Sequence, residues 1–418
     1  MIKTLNYRNT TLRGQWIAPS SKSYLQRALV LSFLSKGKNK LGAVSWCDDS
    51  LHISHLLEKL NCKIKKLDNT TILIDAENVS FRTHQFNIGE TGLGLRMMSP
   101  ILSSKMERFS LSISGSLVNR PTDLITNTLL PMGVKINKDA LNLNFEGKLK
   151  AGKYLVDGTV SSQLLTGLLM AMPTLDGSSQ LQVNGLKSKS YIAMTLDLMK
   201  HFGVEITTSN LDFFDIKGKQ VYKPAEYEVE GDWSAAAYFV VLAAIKSSLS
   251  LRNLNRYSLQ PDRRVVDVIK QSGAKVLWQD DVLKVSPNRL EAFEIDVDES
   301  PDLVPPLAVL AAFSQGTSVF KNVDRLKYKE SDRLFAVRTE LAKIGVRSEL
   351  VSQNLVIEGL RSMPKINHIQ WNSYHDHRIA MMGAILSVIL GGSWSIEQSE
   401  TVSKSYPSFF EDLDRLIE

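Results

Sequence analysis

The stretch LMKHFGVEI, residues 198–206, joins the end of a hydrophobic helix to a glycine and then to the start of a strand. Four other stretches share this form, with Asn or Gly at the turn. They are LLEKLNCKI (56–64), LLPMGVKI (129–136), VIKQSGAKV (268–276) and LAKIGVRS (341–348). The turn residues recur at intervals of 70 or 72 residues. Because Gly and Asn tolerate the left-handed conformation that commonly ends a helix, each stretch predicts a helix end followed by a strand.

A second helix recurs in the same register and is apolar on nearly every face. Its six copies are SSKSYLQRALVLSFL (20–34), GETGLGLRMMSPIL (89–102), GTVSSQLLTGLLMAM (158–172), GDWSAAAYFVVLAAI (231–245), DESPDLVPPLAVLAAF (298–313) and HDHRIAMMGAILSVI (375–389). A helix without a polar face is typical of a domain interior. The sequence therefore predicts an α/β fold of six βαβαββ repeat units: strand, buried helix, strand, outer helix and hairpin.

The sixth unit stops before its hairpin, and the N-terminal stretch KTLNYRNTTLRGQWI (3–17) has the form of that missing hairpin. A chain of 418 residues is also too long for one ordinary core. We therefore expect two domains of three units each. One domain is expected to span 18–229, and the other to combine 1–17 with 230–418.

Composition narrows the class of protein. Hydrophobic residues make up 43% and charged residues 22%, which is typical of a soluble globular protein, and no apolar run is long enough to span a bilayer. The N-terminus lacks the apolar core of a signal peptide. Two cysteines, Cys47 and Cys62, are too few for a disulfide scaffold and lack metal-ligand spacing. We expect a cytoplasmic protein that has no membrane partner.

The net charge of +6 leaves three interpretations open. Nucleic-acid binding is disfavoured because the chain has no basic run and no basic residues interleaved with aromatic ones. A scattered surface excess is the second interpretation. The third is a site that gathers Lys and Arg around small anions, and the motifs below favour it.

Several buried helices open with residues suited to anions, because a helix N-terminus offers free N–H groups and a partial positive charge. Ser20–Ser23 is followed by Arg27, and Ser161, Ser162 and Gln163 open the third copy. Three glycines in the stretch 89–94 would let backbone approach a ligand closely. Taken singly, each motif could equally be an ordinary helix cap or a flexible turn.

The second half of the chain adds acid–base candidates. Asp302 lies between two prolines at a buried-helix start, where a carboxylate can be held rigidly. The run 329–333 (KESDR) opens an outer helix, although Glu330 and Arg333 could also form an ordinary surface pair. The run 375–378 (HDHR) is an unfavourable metal site because adjacent side chains do not converge well on one ion.

The cations gather at or near the starts of the repeat helices. They are Lys22, Arg27, Arg120, Lys329, Arg333, Arg378 and Lys404. If the six units are arranged alike, these starts converge on the cleft between the domains. A cleft lined by so many cations predicts ligands that carry phosphates and carboxylates.

Ten ordered segments resemble the 5-enolpyruvylshikimate-3-phosphate synthase family across essentially the whole chain. They are SSKSYLQRAL, GETGLGLR, NRPTDL, SSQLLTGLLMAMP, KSYIAMTLDLMKHFGV, EGDWSAAAYF, PDLVPPLAV, KYKESDRL, YHDHRIAM and KSYPSFFEDL. The resemblance implies the two-domain enolpyruvyl transferase fold, with the active site in the interdomain cleft. It also implies transfer of the enolpyruvyl group of phosphoenolpyruvate to the 5-hydroxyl of shikimate 3-phosphate, with no metal or organic cofactor. We expect a monomer with these two substrates and no nucleic acid as partner.

The same resemblance implies three sets of site residues. The catalytic set comprises Asp302 as the base at the 5-hydroxyl, with Glu330 and Lys22 as candidate proton donors. The set that binds shikimate 3-phosphate comprises Lys22, Ser23, Arg27, Ser161, Ser162, Gln163, Ser188, Asp302 and Lys329. The set that binds phosphoenolpyruvate comprises Lys22, Gly92, Arg120, Gln163, Arg333, Arg378 and Lys404.

The second unit departs from the family pattern. Glu90, Leu93 and Met97 replace the Asn, Thr and Pro that the family usually carries at these positions. A carboxylate at Glu90 is unfavourable for phosphate unless it turns away, pairs with a cation or is protonated. The departures predict altered affinity for phosphoenolpyruvate and altered sensitivity to glyphosate, an inhibitor of this family.

Two rival functions remain open. The UDP-N-acetylglucosamine enolpyruvyl transferases resemble this fold, but they commonly carry a Cys in the second-unit loop and Lys-Asn at the first helix. The chain has Lys22 and Ser23 there, and no Cys after Cys62. A non-catalytic paralogue that binds a phosphorylated ligand is the other rival, since Glu90 could spoil the second site.

Overall fold

The fold is seen in a computed structural model, which describes residues 1–8 and 10–417. The chain divides into two compact units. The N-terminal unit is Lys22–Val229, and the C-terminal unit combines Met1–Ser21 with Glu230–Glu418. Asn9 and Glu418, which fall inside the expected domain ranges, lie outside the described residues.

Among the described residues, helices alternate along the chain between buried and outer positions. In chain order they are α1 Lys22–Leu34, α2 Asp48–Lys59, α3 Gly92–Lys105, α4 Asp123–Leu129, α5 Gln163–Ala171, α6 Lys189–His201, α7 Trp233–Ile245, α8 Val265–Gln271, α9 Val304–Ala312, α10 Arg333–Ala342, α11 His377–Leu390 and α12 Phe409–Arg415. The odd-numbered helices are buried on nearly every face, as their apolar sequences predict.

Short strands connect these helices. They are β1 Ile2–Tyr7, β2 Gln15–Ile17, β3 Lys38–Gly42, β4 Lys63–Lys66, β5 Ile72–Asp75, β6 Gln85–Gly89, β7 Arg108–Ile113, β8 Lys135–Asp139, β9 Asn142–Glu146, β10 Lys153–Asp157, β11 Ser179–Asn184, β12 Thr207–Ser209, β13 Phe213–Ile216, β14 Glu226–Glu228, β15 Leu249–Arg252, β16 Lys275–Gln279, β17 Val282–Ser286, β18 Glu294–Asp296, β19 Thr317–Lys321, β20 Ser348–Val351, β21 Asn354–Glu358, β22 His368–Asn372 and β23 Gly392–Glu397.

Among the described residues, the strands form six small sheets that share one pairing pattern. In β6-β7-β9-β8, for example, β6 pairs with β7 in parallel, and the other two contacts are antiparallel. The same order recurs in β14-β3-β5-β4, β10-β11-β13-β12, β2-β15-β17-β16 and β18-β19-β21-β20, and a three-stranded form occurs in β1-β23-β22. This recurrence confirms the six-unit α/β fold that the sequence predicted.

The turn between each outer helix and its hairpin has the expected backbone. Asn61 and the glycines 133, 203, 273 and 345 all have φ between 63° and 101°. Residues with a side chain rarely adopt this region, so the sequence places Gly or Asn there. Each turn therefore ends its helix and sends the chain into an antiparallel pair of strands.

The N-terminal stretch is not the hairpin that its sequence suggested. β1 pairs antiparallel with β23 in the sixth sheet, whereas β2 pairs in parallel with β15 in the fourth. Two strands that serve different sheets form no hairpin with each other. Between these strands, Leu12 instead bridges Ile417, and Arg13 N donates to Leu416 O. The N-terminal stretch thus completes two sheets of the C-terminal unit.

Each unit has its own hydrophobic core, built from its buried helices and the inner faces of its sheets. In the C-terminal unit, β2 contributes Trp16, which is 2% exposed. Its ring stacks on Phe239 at 4.5 Å between centroids, and its indole N–H donates to the Tyr406 hydroxyl at 2.9 Å. In the part of the chain that the structure describes, no helix has the length and apolar character needed to cross a bilayer.

We expect Trp16→Ala to lower the free energy of unfolding by about 3–5 kcal/mol, because it removes a large buried ring from the core. Ile17→Ala is the matched control. Ile17 is 65% exposed in the same strand, so its truncation should change stability by about 0.5 kcal/mol or less. Urea denaturation followed by circular dichroism compares the two variants. Equal losses would show that β2 does not depend on the Trp16 contacts.

Candidate active site

Arg333 is the most enclosed cation of the C-terminal unit, with 1% of its side chain exposed. Its Nη1 lies 2.5 Å from Asp302 Oδ1, its Nη2 lies 2.7 Å from Glu330 Oε2, and its Nε lies 2.7 Å from Asp376 Oδ2. Three carboxylates therefore share one guanidinium. We call the group formed by these four residues with Lys329 and Arg378 the carboxylate–arginine cluster.

Helix caps fix the positions of the two arginines. The Asp376 side chain caps α11 by accepting from the backbone N of Arg378 at 3.0 Å, and it also accepts from Ser331 Oγ at 3.1 Å. The Asp332 side chain caps α10 by accepting from the backbone N of Phe335 at 3.0 Å. Because capping side chains hold the first helical turn in place, they fix the points from which the Arg333 and Arg378 side chains project.

The turn before Asp376 has unusual backbone. Tyr374 and His375 have φ of 54° and 56°, a region that disfavours side chains. The buried carboxylate of Glu340 secures this turn by accepting from the Tyr374 hydroxyl at 2.9 Å and from the backbone N of Asn372 at 3.2 Å. The strained turn is thus held by a carboxylate of α10.

Cations dominate the surroundings of Asp302, which lies in the 3₁₀ turn before α9. Arg378 Nη2 lies 3.0 Å from its Oδ2, and Lys329 Nζ lies 3.6 Å from its Oδ1. Burial alone would raise the pKa of Asp302, but the charges of Arg378, Lys329 and Arg333 outweigh burial and hold that pKa well below its usual range. Asp302 is therefore a carboxylate at neutral pH. Burial lowers the pKa of Lys329 to about 8, against the opposing pull of Asp302.

In the N-terminal unit, α1 presents two cations in different settings. Lys22 Nζ lies 2.9 Å from Asp49 Oδ2, and both side chains are largely covered. The Arg27 guanidinium is buried among neutral acceptors: Nε donates to Thr195 Oγ1 at 2.9 Å and Nη1 donates to Ser23 O at 2.8 Å. Burial lowers the pKa of Arg27 to about 10, so the guanidinium stays charged at neutral pH.

A second group of polar residues lies at the start of α3. A Cβ added at Gly92 would lie 2.6 Å from Arg120 Nη1 and 3.0 Å from Arg96 Nη1. Arg96 Nη1 also donates to Gln163 Oε1 at 3.2 Å. Two guanidinium groups thus approach the backbone of Gly92 closely, and a Cβ there would displace them.

Glu90 bonds to the segment that follows β7. Its Oε2 accepts from the backbone N of Ser116 at 3.2 Å and from Ser116 Oγ at 3.1 Å. Gly115 lies beside it with φ of 52°, a backbone conformation that favours glycine, and a Cβ there would lie 1.9 Å from Glu90 Oε1. The Glu90 carboxylate is therefore turned toward Ser116. The expected change in affinity for phosphoenolpyruvate stays a prediction.

The remaining site residues that the sequence predicted lie near helix starts. Ser161 Oγ accepts from the backbone N of Gln163 at 3.2 Å, and Ser162 is the buried residue before α5. Ser188 is buried with φ of 54° directly before α6. Lys404, in the C-terminal unit, ends the 3₁₀ turn Ser399–Lys404 and is buried.

Three residues without a site role in the sequence-based prediction contact predicted site residues. Asp49 pairs with Lys22, Asp376 pairs with Arg333, and Arg96 contacts Gln163. Two of them carried a local signal: Asp376 is an Asp in the helix-capping position before α11, and Arg96 follows the glycine-rich start of α3. Among residues 1–8 and 10–417, no group of three or more His, Cys, Asp or Glu side chains is placed to hold a metal ion.

Comparisons with known proteins point to one family. The family model described as EPSP synthase (3-phosphoshikimate 1-carboxyvinyltransferase) matches residues 7–413. A Clostridium kluyveri protein named 3-phosphoshikimate 1-carboxyvinyltransferase is 35% identical over 99% of this chain and 97% of its own length. The EPSP synthase structure from Acinetobacter baumannii aligns with a TM-score of 0.84 over 99% of this chain and 98% of that one, at 22% identity. The enolpyruvyl transferase NikO from Streptomyces tendae aligns with a TM-score of 0.80 over 100% and 98% of the two chains, at 15% identity. These two structures confirm the enolpyruvyl transferase fold.

We expect Asp376→Ala to lower the free energy of unfolding by about 3–5 kcal/mol, because it removes one partner of a buried ion pair together with a helix cap. Glu411→Ala is the control, since Glu411 is 74% exposed in its pair with Arg415 and its removal should change stability by under about 1 kcal/mol. Guanidinium denaturation measures both values. A loss below about 1 kcal/mol for Asp376→Ala would contradict a structural role for this carboxylate.

Proposed function

The chain belongs to the EPSP synthase (3-phosphoshikimate 1-carboxyvinyltransferase) family, and we propose that the charged residues described above carry its reaction. The reaction is the transfer of the enolpyruvyl group of phosphoenolpyruvate to shikimate 3-phosphate, in aromatic amino acid biosynthesis, and the chain is therefore a transferase. The observation that carries the proposal is the ionised carboxylate of Asp302 held between Arg333, Arg378 and Lys329.

We assign the two substrates to the residues that the resemblance implies. Shikimate 3-phosphate is bound by Lys22, Ser23, Arg27, Ser161, Ser162, Gln163, Ser188, Asp302 and Lys329. Phosphoenolpyruvate is bound by Lys22, Gly92, Arg120, Gln163, Arg333, Arg378 and Lys404. We also propose that residues 18–229 form one domain and that residues 1–17 plus 230–418 form the other. Buried cations support this assignment, because phosphates and carboxylates are the ligands that such cations favour.

The arginines act first by binding charge. Before phosphoenolpyruvate binds, Asp302 balances the positive charges of Arg333 and Arg378. The substrate then brings a phosphate and a carboxylate to these two arginines. A planar guanidinium can bind such groups through two parallel hydrogen bonds, so the substrate is oriented as well as held. The same cations stabilise negative charge on the phosphate as it leaves.

Asp302 then acts as the base at the 5-hydroxyl. A carboxylate whose pKa is held far below its usual range is a weak base, so the resting arrangement is not yet reactive. When Arg333 and Arg378 turn their charge to the substrate anions, they compensate Asp302 less and its pKa rises. Substrate binding thereby strengthens the base at the moment when it is needed.

Proton delivery to the methylene carbon of phosphoenolpyruvate completes the chemistry. Protonation makes the adjacent carbon electrophilic, and the 5-hydroxyl oxygen attacks it to form a tetrahedral intermediate. Loss of a proton and of phosphate then gives the enolpyruvyl ether. We assign the proton donor to Glu330 in its protonated form, which it takes once Arg333 has turned from it to the substrate, with Lys22 as the group that shares this role. No metal or organic cofactor takes part in this scheme.

We further propose a cytoplasmic monomer whose partners are these two substrates and neither nucleic acid nor membrane. Both cysteines, Cys47 and Cys62, are buried free thiols, which is typical of a reducing compartment. Sedimentation analysis at micromolar concentration tests the monomer.

The assay for this function measures phosphate release from phosphoenolpyruvate with and without shikimate 3-phosphate. Wild type should release phosphate only when both substrates are present. Asp302→Asn should lower kcat by about a hundredfold or more, because removing a general base typically loses that much. Asp412→Asn, a carboxylate bonded to Tyr406 and Ser408, is the control with unchanged kcat. Wild type without activity at high enzyme concentration would favour the non-catalytic binding protein instead.

Gly92→Ala tests the phosphoenolpyruvate site. Its Cβ would press on Arg120 and Arg96, so we expect the KM for phosphoenolpyruvate to rise by about tenfold, equivalent to about 1.4 kcal/mol of binding. Gly177→Ala is the control in the same unit, because the neighbour there is only the Ala151 methyl group at 3.0 Å. An unchanged KM for Gly92→Ala would remove Gly92 from the site.

A further inference from the structure

Asp262 is a buried carboxylate for which the proposed reaction has no use. It lies in the 3₁₀ turn Pro261–Arg264, with 1% of the residue exposed. Ser234 Oγ, from the first turn of α7, donates a short hydrogen bond to its Oδ2. Its Oδ1 is buried and has no hydrogen-bond partner among the described residues. A buried carboxylate oxygen left in this state is unusual and calls for an explanation.

Two of the charged neighbours of Asp262, Asp302 and Arg378, belong to the carboxylate–arginine cluster. The charges that act on it from surrounding elements are those of Asp302 before α9, Arg378 at the start of α11, and Asp232 before α7. Arg378 mirrors the situation, because its Nε is also buried and has no hydrogen-bond partner in the described part of the chain. The Arg378 guanidinium is thus engaged by Asp302 through Nη2 and lies within the electrostatic reach of Asp262.

The charge of Asp262 changes in the physiological range. Burial and the charge of Asp302 raise the pKa of Asp262, Arg378 and the Ser234 hydrogen bond oppose them, and the resulting pKa is about 7. Below pH 7 the protonated acid is neutral. Above pH 7 the Asp262 carboxylate adds a second negative charge near Arg378, whose positive charge Asp302 already balances.

We propose that Asp262 is a positioning residue that controls, through its own protonation, how strongly Arg378 binds the phosphoenolpyruvate anion. This inference rests on the proposed function, in which Arg378 binds that substrate. The neutral form of Asp262 leaves the Arg378 charge available to the substrate. The ionised form competes with the substrate for the same guanidinium.

Linkage sets the sign and size of the effect. If ionised Asp262 weakens binding of the anion, the bound anion must raise the pKa of Asp262 to the same extent. A coupling of half to one pKa unit corresponds to a change in affinity of about three- to tenfold. The KM for phosphoenolpyruvate should therefore rise through pH 7 because of Asp262, while kcat follows the base and the proton donor instead.

The experiment compares wild type with Asp262→Asn between pH 6 and 8.5, with shikimate 3-phosphate saturating. Both substrates titrate identically for the two enzymes, so the ratio of their KM values isolates Asp262. Asn resembles the protonated acid in shape and charge. We expect this ratio to be near one at pH 6 and to reach about three to ten, wild type over variant, at pH 8.5.

Ser234→Ala provides an independent arm that keeps the carboxyl group. Loss of the hydroxyl donor destabilises the ionised form, so the pH at which the wild-type KM rises should move upward. Asp412→Asn is the control, because its carboxylate also accepts from a Ser and a Tyr hydroxyl but belongs to α12. Its KM profile should coincide with that of wild type.

Two results would overturn the inference while wild type stays active. One is a KM ratio independent of pH for Asp262→Asn. The other is a Ser234→Ala profile that coincides with wild type, which decides the question even where Asp262→Asn fails to fold. Absence of phosphate release by wild type would overturn the proposed function, and this inference with it.

Discussion

The ion pairs of the buried Arg333 guanidinium are the interaction on which the site of the C-terminal unit depends. A cation with 1% of its side chain exposed is unfavourable unless acceptors surround it, and Asp302, Glu330 and Asp376 supply them. The three carboxylates come from the turn before α9, the stretch before α10 and the cap of α11. The starts of two buried helices and one outer helix are therefore held at one point by ion pairs.

This arrangement joins stability to function. The cluster is compensated at rest, since each cation within it faces a carboxylate. Anionic substrates offer the arginines alternative partners, and the exchange frees Asp302 from the cations that hold its pKa down. Asp302 gains basicity in this way. In our proposal, the protonation of Asp262 makes the binding of the substrate anion by Arg378 depend on pH. The same charged residues therefore pair tightly with one another before substrate binds and become reactive once it has bound.

The repeat made most of the fold predictable, because a left-handed turn requires Gly or Asn and a buried helix requires an apolar surface. Local sequence patterns did not predict strand pairing between residues that lie far apart in the chain. β2 has only three residues and no periodic pattern, so its place beside β15 rather than β1 was missed. Asp302, Arg333 and Arg378 were predictable from helix starts. Asp49 and Asp262 were not, since their partners are known only once the chain has folded.

The most direct test of this account is a crystal structure with shikimate 3-phosphate and an unreactive analogue of phosphoenolpyruvate bound together. The decisive quantity is the distance between the Asp302 carboxylate and the 5-hydroxyl oxygen. The account predicts a hydrogen bond of about 2.5–3.0 Å there, with the analogue's anionic groups on Arg333 and Arg378. A complex in which both arginines still pair with Asp302, and the 5-hydroxyl lies out of its reach, would contradict it.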